Sequence, residues 1–328
     1  MLNNFEYLKA GSLAEALKAL STEGTALHAG GTDLLGCLRD EILQVDKIVS
    51  IRSLKGLKGI STESGGALKI GALTSLADIA SHPTVKETYP VLAQAAAAVG
   101  SPQIRIQGTI GGNLCQKPRC WYFRSDLQCR KKGGTICYAM GGENQYHAIF
   151  GGGPCFYVHP SDTAVALAAL SAQIRISRPG GSKSVNIEDF FVSPQKMVSK
   201  ENILLSNEII TEIILPPVAE NIRSTYRKIR ARASWDFALV SVAAVVQFAG
   251  DEVRSARIAL GGVAPYPWRI PKAEEKITGG KLDAATVSEA AEAALESAQP
   301  LRDNGYKLDM VQGAVEETLL ALISHQVS

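Results

Sequence analysis

The chain has 328 residues, of which 46% are hydrophobic and 20% charged, with a formal net charge of +2. These values are typical of a folded globular protein and exclude a disordered or fibrous chain. The near balance of charge gives no electrostatic reason to expect nucleic acid or an anionic membrane as a partner. No apolar run approaches the roughly 18 residues of a membrane span, and the N-terminal residues lack a signal-peptide pattern. We therefore expect a soluble protein.

The first third of the chain is predicted to alternate between helices and strands. Ser12 can cap a helix over Leu13–Leu20, because its hydroxyl can accept from an unpaired amide of the first turn. A strand is predicted at 25–29, and a helix can begin at Thr32 and Asp33 after the glycine pair Gly30 and Gly31. Further along, the pattern predicts strands at 46–51 and 68–70, and helices at 75–79 and 85–99.

The middle and end of the chain differ in pattern. Residues 101–154 show neither the helical nor the strand period of apolar residues. Such a long irregular segment in a compact domain is normally functional. A helix at 163–170, a strand at 172–176 and a linker at 216–221 follow. The last part is predicted to contain strands within 224–229, 238–248 and 254–261 with a helix among them, then helices at 284–298 and 310–324. The predicted fold class is α+β, with a separate C-terminal domain.

Two glycine-rich turns are candidate binding sites for a phosphate group. One lies at 29–35 and the other at 109–114, and each pairs two glycines with hydrogen-bonding neighbours. Paired glycines let a backbone approach a ligand closely and expose free N–H groups, which suit a phosphate. Either turn alone is more often simply a tight turn, and the G-x-G-x-x-G fingerprint is absent from the first. Two such turns fit a dinucleotide better than one.

The order and flanks of these motifs resemble a known family. The matching segments are Ala29-Gly30-Gly31-Thr32-Asp33-Leu34, Gln107-Gly108-Thr109-Ile110-Gly111-Gly112-Asn113-Leu114, His159-Pro160-Ser161-Asp162, Ala259-Leu260-Gly261-Gly262-Val263-Ala264 and Pro267-Trp268-Arg269. They are similar to the FAD-binding medium subunits of the xanthine dehydrogenase (molybdenum hydroxylase) family, from Phe5 to about Ala321. The resemblance implies a two-part FAD-binding domain of the PCMH/CO dehydrogenase flavoprotein type at 1–217, divided into about 1–55 and 56–217, and a C-terminal α+β flavoprotein domain at 222–325.

The resemblance also implies the positions that bind FAD. The backbone of 27–35 and the turn from Thr109 to Asn113 would hold the diphosphate, and Asp162 would contact ribityl or ribose hydroxyls. Ile210 would pack near the flavin and Lys228 would approach the isoalloxazine ring. The bland alternatives are a solvated strand lysine for Lys228 and a helix N-cap for Asp162. The implied cofactor-binding set is Leu27, His28, Ala29, Gly30, Gly31, Thr32, Asp33, Leu34, Leu35, Thr109, Gly112, Asn113, Asp162, Ile210 and Lys228.

The cysteines are concentrated in one segment. Five of the six lie between positions 115 and 155, and Cys120, Cys129, Cys137 and Cys155 are separated by eight, seven and seventeen residues. This spacing is too loose for a ferredoxin run or a zinc ribbon. Clustered cysteines in a chain without an export signal are better interpreted as metal ligands than as disulfides.

The family resemblance suggests which metal centre these four cysteines hold. Members with an inserted segment, here about 115–156, such as periplasmic aldehyde oxidoreductase and 4-hydroxybenzoyl-CoA reductase, bind a [4Fe-4S] cluster on it. Cys120 and Cys155 lie in contexts similar to the aldehyde oxidoreductase type, and zinc or unligated thiols remain the alternatives. Cys115 and Cys37 are interpreted as small packed side chains. Nearby basic residues would offset the negative charge of the cluster: Arg119, Arg124, Arg130, Lys131 and Lys132.

The resemblance implies an electron-transfer subunit rather than a self-contained catalyst. Electrons would pass between a [2Fe-2S] partner subunit, FAD, the chain's own cluster and an external acceptor, while a molybdenum-cofactor subunit acts on the substrate. The complex would be a heterotrimer or its dimer, cytoplasmic unless a partner carries an export signal. No general acid or base is predicted, and Trp235 is interpreted as a core or interface aromatic. The alternatives are a stand-alone flavoprotein oxidase and a scaffold subunit with structural zinc.

Overall fold

The computed structural model describes residue 2 and residues 4–323 and has the predicted α+β architecture. Its strands form three sheets, of three, five and four strands. No helix in the described part is long and apolar enough to cross a bilayer. The end of the last predicted helix, Ser324, and the predicted domain end at 325 lie outside the described residues.

The element bounds are as follows. The strands are β1 (Glu6–Lys9), β2 (Thr25–His28), β3 (Lys47–Ser50), β4 (Ile60–Thr62), β5 (Leu68–Gly71), β6 (Gln173–Arg178), β7 (Gly181–Asn186), β8 (Ile209–Leu215), β9 (Ile222–Ile229), β10 (Val240–Ala249), β11 (Glu252–Gly261) and β12 (Trp268–Arg269). The helices are α1 (Leu13–Leu20), α2 (Leu34–Arg39), α3 (Leu76–Ser81), α4 (Pro83–Thr88), α5 (Pro90–Ala97), α6 (Pro102–Gln107), α7 (Ile110–Leu114), α8 (Asp162–Ala169), α9 (Ile187–Phe190), α10 (Pro271–Ile277), α11 (Ala284–Ala293) and α12 (Lys307–Ile323).

The N-terminal sheet is small and parallel. Strands β1 and β2 both pair with β3 in parallel, and α1 crosses over between β1 and β2. The Ser12 hydroxyl accepts from the Glu15 N–H at 3.1 Å, as predicted for the cap of α1. Parallel strands need such crossover connections. This arrangement leaves the glycine pair after β2 at the carboxyl end of the sheet.

The five-stranded antiparallel sheet has the strand order β4-β5-β8-β6-β7 and packs against α5 and α8 to form the largest core among the described residues. All eight residues of α8 are buried, including its first residue, Asp162. Ser161 caps this helix by accepting from the Ala164 N–H at 3.0 Å. A helix that is apolar all round must lie in the interior, so Asp162 is carried there with it.

The C-terminal four-stranded antiparallel sheet packs against α10, α11 and α12. The helix predicted among 224–261 is wrong, because β9, β10 and β11 follow one another as an antiparallel meander. Strand β10 is buried along most of its length, so its apolar run carries little alternation. Periodicity alone does not separate such a strand from a buried helix.

Two further predictions needed correction. The helix predicted at 85–99 is two helices, α4 and α5, because Pro90 follows Tyr89 and a proline interrupts the backbone ladder. Residues 101–154 were predicted to be irregular, but α6 and α7 form at their start. From Cys115 to Ser161 the chain contains only two short 3-10 turns, so the cysteine segment is irregular as expected.

Candidate functional site

The two glycine turns lie side by side. The first connects β2 to α2, and a Cβ atom at Gly30 would lie 2.1 Å from the carbonyl oxygen of Gln107, next to the second turn. Thr109 caps α7, where its hydroxyl accepts from the Gly112 N–H at 3.2 Å. Backbone therefore meets backbone here, which is possible only with glycine at position 30. The contact brings the N-terminal sheet and the second turn into one site.

Two cavities of about 260 Å³ and 290 Å³ meet at these turns. We call them the Lys228 lobe and the Ile210 lobe after a residue that lines each. Five residues line both lobes: Thr32, Asp33, Thr109, Gly112 and Gln116. The site thus has two chambers joined at a wall of turn residues. This shape suits a ligand with two bulky ends and a diphosphate between them.

Most of the predicted FAD-binding residues line one lobe or the other. Besides the shared wall, the Ile210 lobe includes Leu27, Ala29, Gly30, Gly31, Leu34 and Ile210. The Lys228 lobe adds Asn113, Asp162 and Lys228. Of the predicted set, His28 and Leu35 line neither lobe; His28 is a buried strand residue with its Nδ1 3.3 Å from the Ser50 hydroxyl. Ile210 and Lys228 lie in different lobes, so the fold does not bring these two predicted flavin contacts together.

A buried polar triad stands at the inner end of the Lys228 lobe. The Lys228 ammonium donates to the Asp162 carboxylate at 2.8 Å, and the Tyr226 hydroxyl donates to its other oxygen at 2.6 Å. Both side chains of the Lys228–Asp162 pair are about 5% exposed or less. Burial raises the pKa of Asp162 above its ordinary value, although the Lys228 charge opposes this shift. Asp162 also begins α8, so it combines a structural role with its place in the site.

Asp33 anchors a second charged group at the shared wall. Its carboxylate lies 2.7 Å from the Arg119 guanidinium and 2.8 Å from that of Arg124, and it accepts from the Lys117 N–H at 2.7 Å. Burial favours a higher pKa for Asp33, but these three donors, led by Arg119, hold it below its ordinary value. Asp33 is therefore ionised at neutral pH and ties the first glycine turn to the segment that carries the cysteines.

An aromatic loop forms the outer wall of the Lys228 lobe. Trp235 lines this lobe with 68% of its surface exposed, and its backbone has φ +51. Trp235 is therefore not a core aromatic, and its interpretation as an interface aromatic stays a prediction. Phe237, also in the lobe, lies beneath the Arg119 guanidinium, 5.1 Å from its centre. The loop is thus attached both to the lobe and to the Arg119–Asp33 pair.

The four predicted metal-ligand cysteines lie near one another. The thiols of Cys137 and Cys155 are hydrogen-bonded, which lowers the pKa of Cys137 to about 6 and raises that of Cys155. Cys120 interacts electrostatically with Cys129 and Cys137, and burial raises its pKa to about 11. All six cysteines are free thiols. Among the described residues, no group of three or more His, Cys, Asp or Glu side chains is arranged to hold a metal ion.

The remaining two cysteines pack as interpreted from the sequence. Cys115 lines the Ile210 lobe, and burial raises the pKa of its thiol to about 12. Cys37 is fully buried in α2, and the Arg124 guanidinium donates to its sulfur at 3.0 Å. Burial raises the pKa of both thiols, so both are protonated at neutral pH, which fits a structural role.

The C-terminal helix α12 contacts the cysteine segment directly. The Lys307 ammonium, at the start of α12, donates to the backbone carbonyls of His147 and Gly262 at 3.1 and 2.7 Å. His147 in turn has its Nε2 3.2 Å from the Cys120 sulfur. Residues 141–150 contain no helix, so Glu143 and His147 do not share a helix face.

Sequence reasoning missed two residues that the fold brings into the site. Tyr226 is two positions before Lys228 on β9, and residues two apart on a strand share a face. That spacing was a usable signal. Arg119 was interpreted as offsetting charge at the cysteine cluster, yet it lines the Lys228 lobe. Arg119 was grouped with the cysteine cluster because it precedes Cys120. Adjacent residues in irregular structure can face different sites, so sequence neighbours do not reveal this placement.

The chain matches two protein-family models. Residues 3–218 match the FAD binding domain in molybdopterin dehydrogenase, and residues 224–322 match the CO dehydrogenase flavoprotein C-terminal domain. The two matches together span nearly all the described residues.

Several curated proteins are similar over almost their full length. The chain is 38% identical to the aldehyde oxidoreductase FAD-binding subunit PaoB of Escherichia coli, over 96% of this chain and 97% of that one. It is 32% identical to the glyceraldehyde dehydrogenase medium chain of Sulfolobus acidocaldarius, over 92% and 90%. Among solved structures, a carbon monoxide dehydrogenase from Hydrogenophaga pseudoflava matches with a TM-score of 0.79 and 28% identity, covering 99% of each chain.

Proposed function

The chain belongs to the family of FAD-binding medium subunits of the xanthine dehydrogenase and CO dehydrogenase type, and on that premise we propose that it passes electrons between a [2Fe-2S] partner subunit, its own FAD, a [4Fe-4S] cluster and an external acceptor. As in its relatives, it is one subunit of an oxidoreductase complex. The observation that carries the proposal is the pair of lobes joined at two glycine turns.

The two lobes support a specific placement of FAD. The shared wall includes Thr32 and Asp33 at the start of α2, and backbone N–H groups at a helix N-terminus suit the diphosphate. The first N–H groups of α7 are already engaged, because Ile110, Gly111 and Gly112 donate to Thr74, Ala72 and Thr109. The flavin ring belongs in the Lys228 lobe, where Lys228, Asp162 and the aromatic loop surround the remaining space. The adenosine half belongs in the Ile210 lobe, which is lined largely by aliphatic side chains.

Lys228 and Tyr226 set the charge at the ring. FAD, when bound, supplies both one-electron and two-electron redox chemistry. The Lys228 ammonium lies in the lobe with its charge partly offset by Asp162, and Tyr226 fixes that carboxylate. A positive group there favours a negatively charged reduced ring.

The cysteine segment supports a cluster rather than a single metal ion. Four thiols come together in an irregular segment, and four thiolates are the ligand set of a cubane. A cubane places its own iron and sulfide between the ligands, so its thiolates stand farther apart than those around one ion.

The proposed partners follow from the relatives. The H. pseudoflava relative is the medium chain of a carbon monoxide dehydrogenase, and we propose a molybdenum-cofactor subunit and a [2Fe-2S] subunit as partners of this chain. The substrate would bind to the molybdenum-cofactor subunit. The complex would be cytoplasmic, or periplasmic where a partner carries the export signal.

Purification of the native complex tests the proposal. We expect one FAD per chain, about four iron atoms per chain in excess of those in the [2Fe-2S] subunit, and co-purification of both partners. Folded complex that contains no flavin and takes up none would refute FAD binding. Zinc in place of iron would leave FAD binding intact and refute the cluster.

Paired cysteine variants test the cluster separately. Cys129→Ala should lose the iron of this chain while retaining FAD, because Cys129 belongs to the quartet and lines neither lobe. Cys37→Ala is the control for iron content, since Cys37 is also buried but lies in α2 and outside the quartet. Because Cys37 lines the Ile210 lobe, the flavin content of this variant is not used as a control. Iron content and flavin content are measured by metal analysis and absorption. Equal iron in the two variants would contradict the proposed ligand set.

A further inference from the structure

Arg119 is held in the flavin site by four contacts. Its Nη1 lies 2.7 Å from the Asp33 carboxylate and donates to the Lys117 carbonyl at 2.5 Å. Its Nη2 donates to the Gln116 amide oxygen at 3.2 Å, and its guanidinium lies over the Phe237 ring. The side chain is 27% exposed and lines the Lys228 lobe. A long cationic side chain fixed in this way has lost its conformational freedom before any ligand arrives.

The partners of Arg119 locate it at the junction of the two lobes. Asp33 and Gln116 both belong to the shared wall, and Asp33 directly follows the turn formed by Gly30, Gly31 and Thr32. Three of the five guanidinium N–H groups are used in the described contacts. Nε–H and one Nη2–H are left for a ligand at this junction.

The charge around Arg119 favours an anion. Two guanidinium groups, those of Arg119 and Arg124, share the single negative charge of Asp33. The two other carboxylates that line the Lys228 lobe, Asp162 and Asp236, are paired with Lys228 and Arg232. The Asp33 carboxylate lines both lobes, but it already accepts from three donors, Arg119, Arg124 and the Lys117 N–H, which offset its negative charge. Arginine suits phosphate oxygens because its planar fork donates two parallel hydrogen bonds.

We propose that Arg119 binds the diphosphate of FAD at the junction of the two lobes, and so belongs to the flavin site rather than to the charge balance of the cysteine cluster. The inference rests on the proposed binding of FAD and extends it to a residue of the cysteine segment. It also gives that segment a second role. Since Cys120 follows Arg119 directly, the contact fastens the cysteine segment to the wall of the flavin site.

The test compares Arg119→Gln, Arg119→Lys and Arg130→Gln in the full chain produced with its partner subunits. Arg130 is the matched control, because it is an exposed arginine on the same segment and lines neither lobe. Three quantities are measured: the Kd of FAD for the deflavinated complex, the Kd of ADP as its competitor, and the iron content of the chain. ADP carries the diphosphate without the flavin.

Arg119→Gln should raise the Kd of FAD and that of ADP by the same factor, about 10- to 100-fold, as expected for loss of a charge-assisted hydrogen bond. Arg119→Lys should raise both about tenfold, because the charge stays while the fork is lost. Arg130→Gln should leave both unchanged. If Arg119→Gln does not fold, as judged by circular dichroism, Arg119→Lys decides the matter.

Three results would overturn the inference. One is an unchanged Kd of FAD in a folded Arg119 variant with reduced iron, which would assign Arg119 to the cysteine cluster. Another is weaker FAD binding with unchanged ADP binding, which would place Arg119 at the flavin ring. The third is an equal effect of Arg130→Gln. A wild-type complex that binds neither FAD nor ADP would instead refute the proposed function, and so is distinguishable.

Discussion

Gly30 and Gly36 lie six residues apart but meet very different surroundings. A Cβ atom at Gly30 would lie 2.1 Å from the Gln107 carbonyl oxygen, and that atom belongs to the backbone of the second turn. A Cβ atom at Gly36 would have nothing within 4 Å. Replacing each glycine with alanine therefore distinguishes two roles: Gly30 is needed because two backbone segments approach closely, whereas Gly36 only adds backbone flexibility.

We expect Gly30→Ala to weaken FAD binding at least about tenfold, because the two turns must separate and the shared wall is displaced. Gly36→Ala should leave FAD binding unchanged and stabilise the protein by up to about 1 kcal/mol, since Gly36 lies inside α2. Fluorescence titration and urea unfolding measure the two effects. Comparable FAD affinity in both variants would contradict the placement of the diphosphate at this wall.

The buried pair formed by Lys228 and Asp162 allows a second prediction at the residue scale. Lys228→Met leaves the Asp162 carboxylate without its cation, and breaking a buried pair from one side costs about 3–5 kcal/mol. Arg227→Met is the control, because the adjacent Arg227 pairs with Glu317 at the surface and such pairs contribute about 0–1 kcal/mol. Urea unfolding of the two apoproteins measures the difference.

The loss in Lys228→Met should also depend on pH. Burial raises the pKa of Asp162 above its value in the unfolded chain, so the folded variant binds a proton more tightly than the unfolded one. Stability is therefore retained near pH 4 and falls as the pH rises towards 7. A loss of equal size at both pH values would mean that Asp162 is solvated once Lys228 is removed.

Sequence reasoning reached residues whose role depends on the local chain. The turn at Gly30 and Gly31, the cap at Ser12 and the polar start of α8 are all recognisable from neighbours in sequence. Tyr226 and Arg119 are different, because their roles come from partners 64 and 86 positions away, Asp162 and Asp33. The two-residue spacing from Lys228 indicates that Tyr226 shares a strand face with it, but no local pattern contains the pairings with Asp162 and Asp33.

At the scale of elements, α12 is joined to the cysteine segment by one buried lysine. Lys307 is 1% exposed, and its ammonium donates to two backbone carbonyls without a carboxylate partner among the contacts described. Burial lowers its pKa to about 7. The first turn of α12 therefore holds a group whose charge is lost close to neutral pH.

This arrangement predicts that stability rises with pH above about 7. Between the folded pKa near 7 and the unfolded value near 10.4, the unfolded chain binds the proton and the folded chain does not. The rise is at most about 1.4 kcal/mol per pH unit. Lys307→Met should abolish it, whereas Lys276→Met, on the exposed face of α10, should preserve it. Urea midpoints at pH 7, 8 and 9 provide the measurement.

The elements themselves were predictable where their signals were local. Helix α1 matches its prediction at both ends because Ser12 caps it and its apolar residues repeat on one face. Strand β10 was not separable from a helix, since tertiary burial on both faces removes the alternation that identifies a strand. Helices α6 and α7 were missed because each has only five or six residues, too few to establish a period.

At the scale of the whole molecule, the largest core crosses the proposed domain boundary. It contains Tyr226, Ala243 and Ala259 from β9, β10 and β11, together with residues of α5 and α8. The other large core likewise includes Ile149 and Phe150 from the cysteine segment. Apolar side chains from both proposed domains are therefore removed from water together.

We expect the chain to unfold in one cooperative transition, because neither proposed domain keeps a complete core without the other. Far-UV circular dichroism and tryptophan fluorescence should give the same urea midpoint. Trp121, Trp235 and Trp268 report on the cysteine segment, the aromatic loop and the C-terminal sheet. Two separated midpoints would show that the boundary near residues 217–222 divides independent folding units.

The position of β9 in the chain fixes when the flavin site becomes complete during biosynthesis. Tyr226 and Lys228 close the inner end of one chamber, yet both turns that would grip the diphosphate are translated more than a hundred residues earlier. A nascent polypeptide that has emerged only as far as α8 presents Asp162 without its two donors. We therefore expect the nucleotide to bind stably only after β9 has been synthesised and its Tyr226 and Lys228 have reached Asp162.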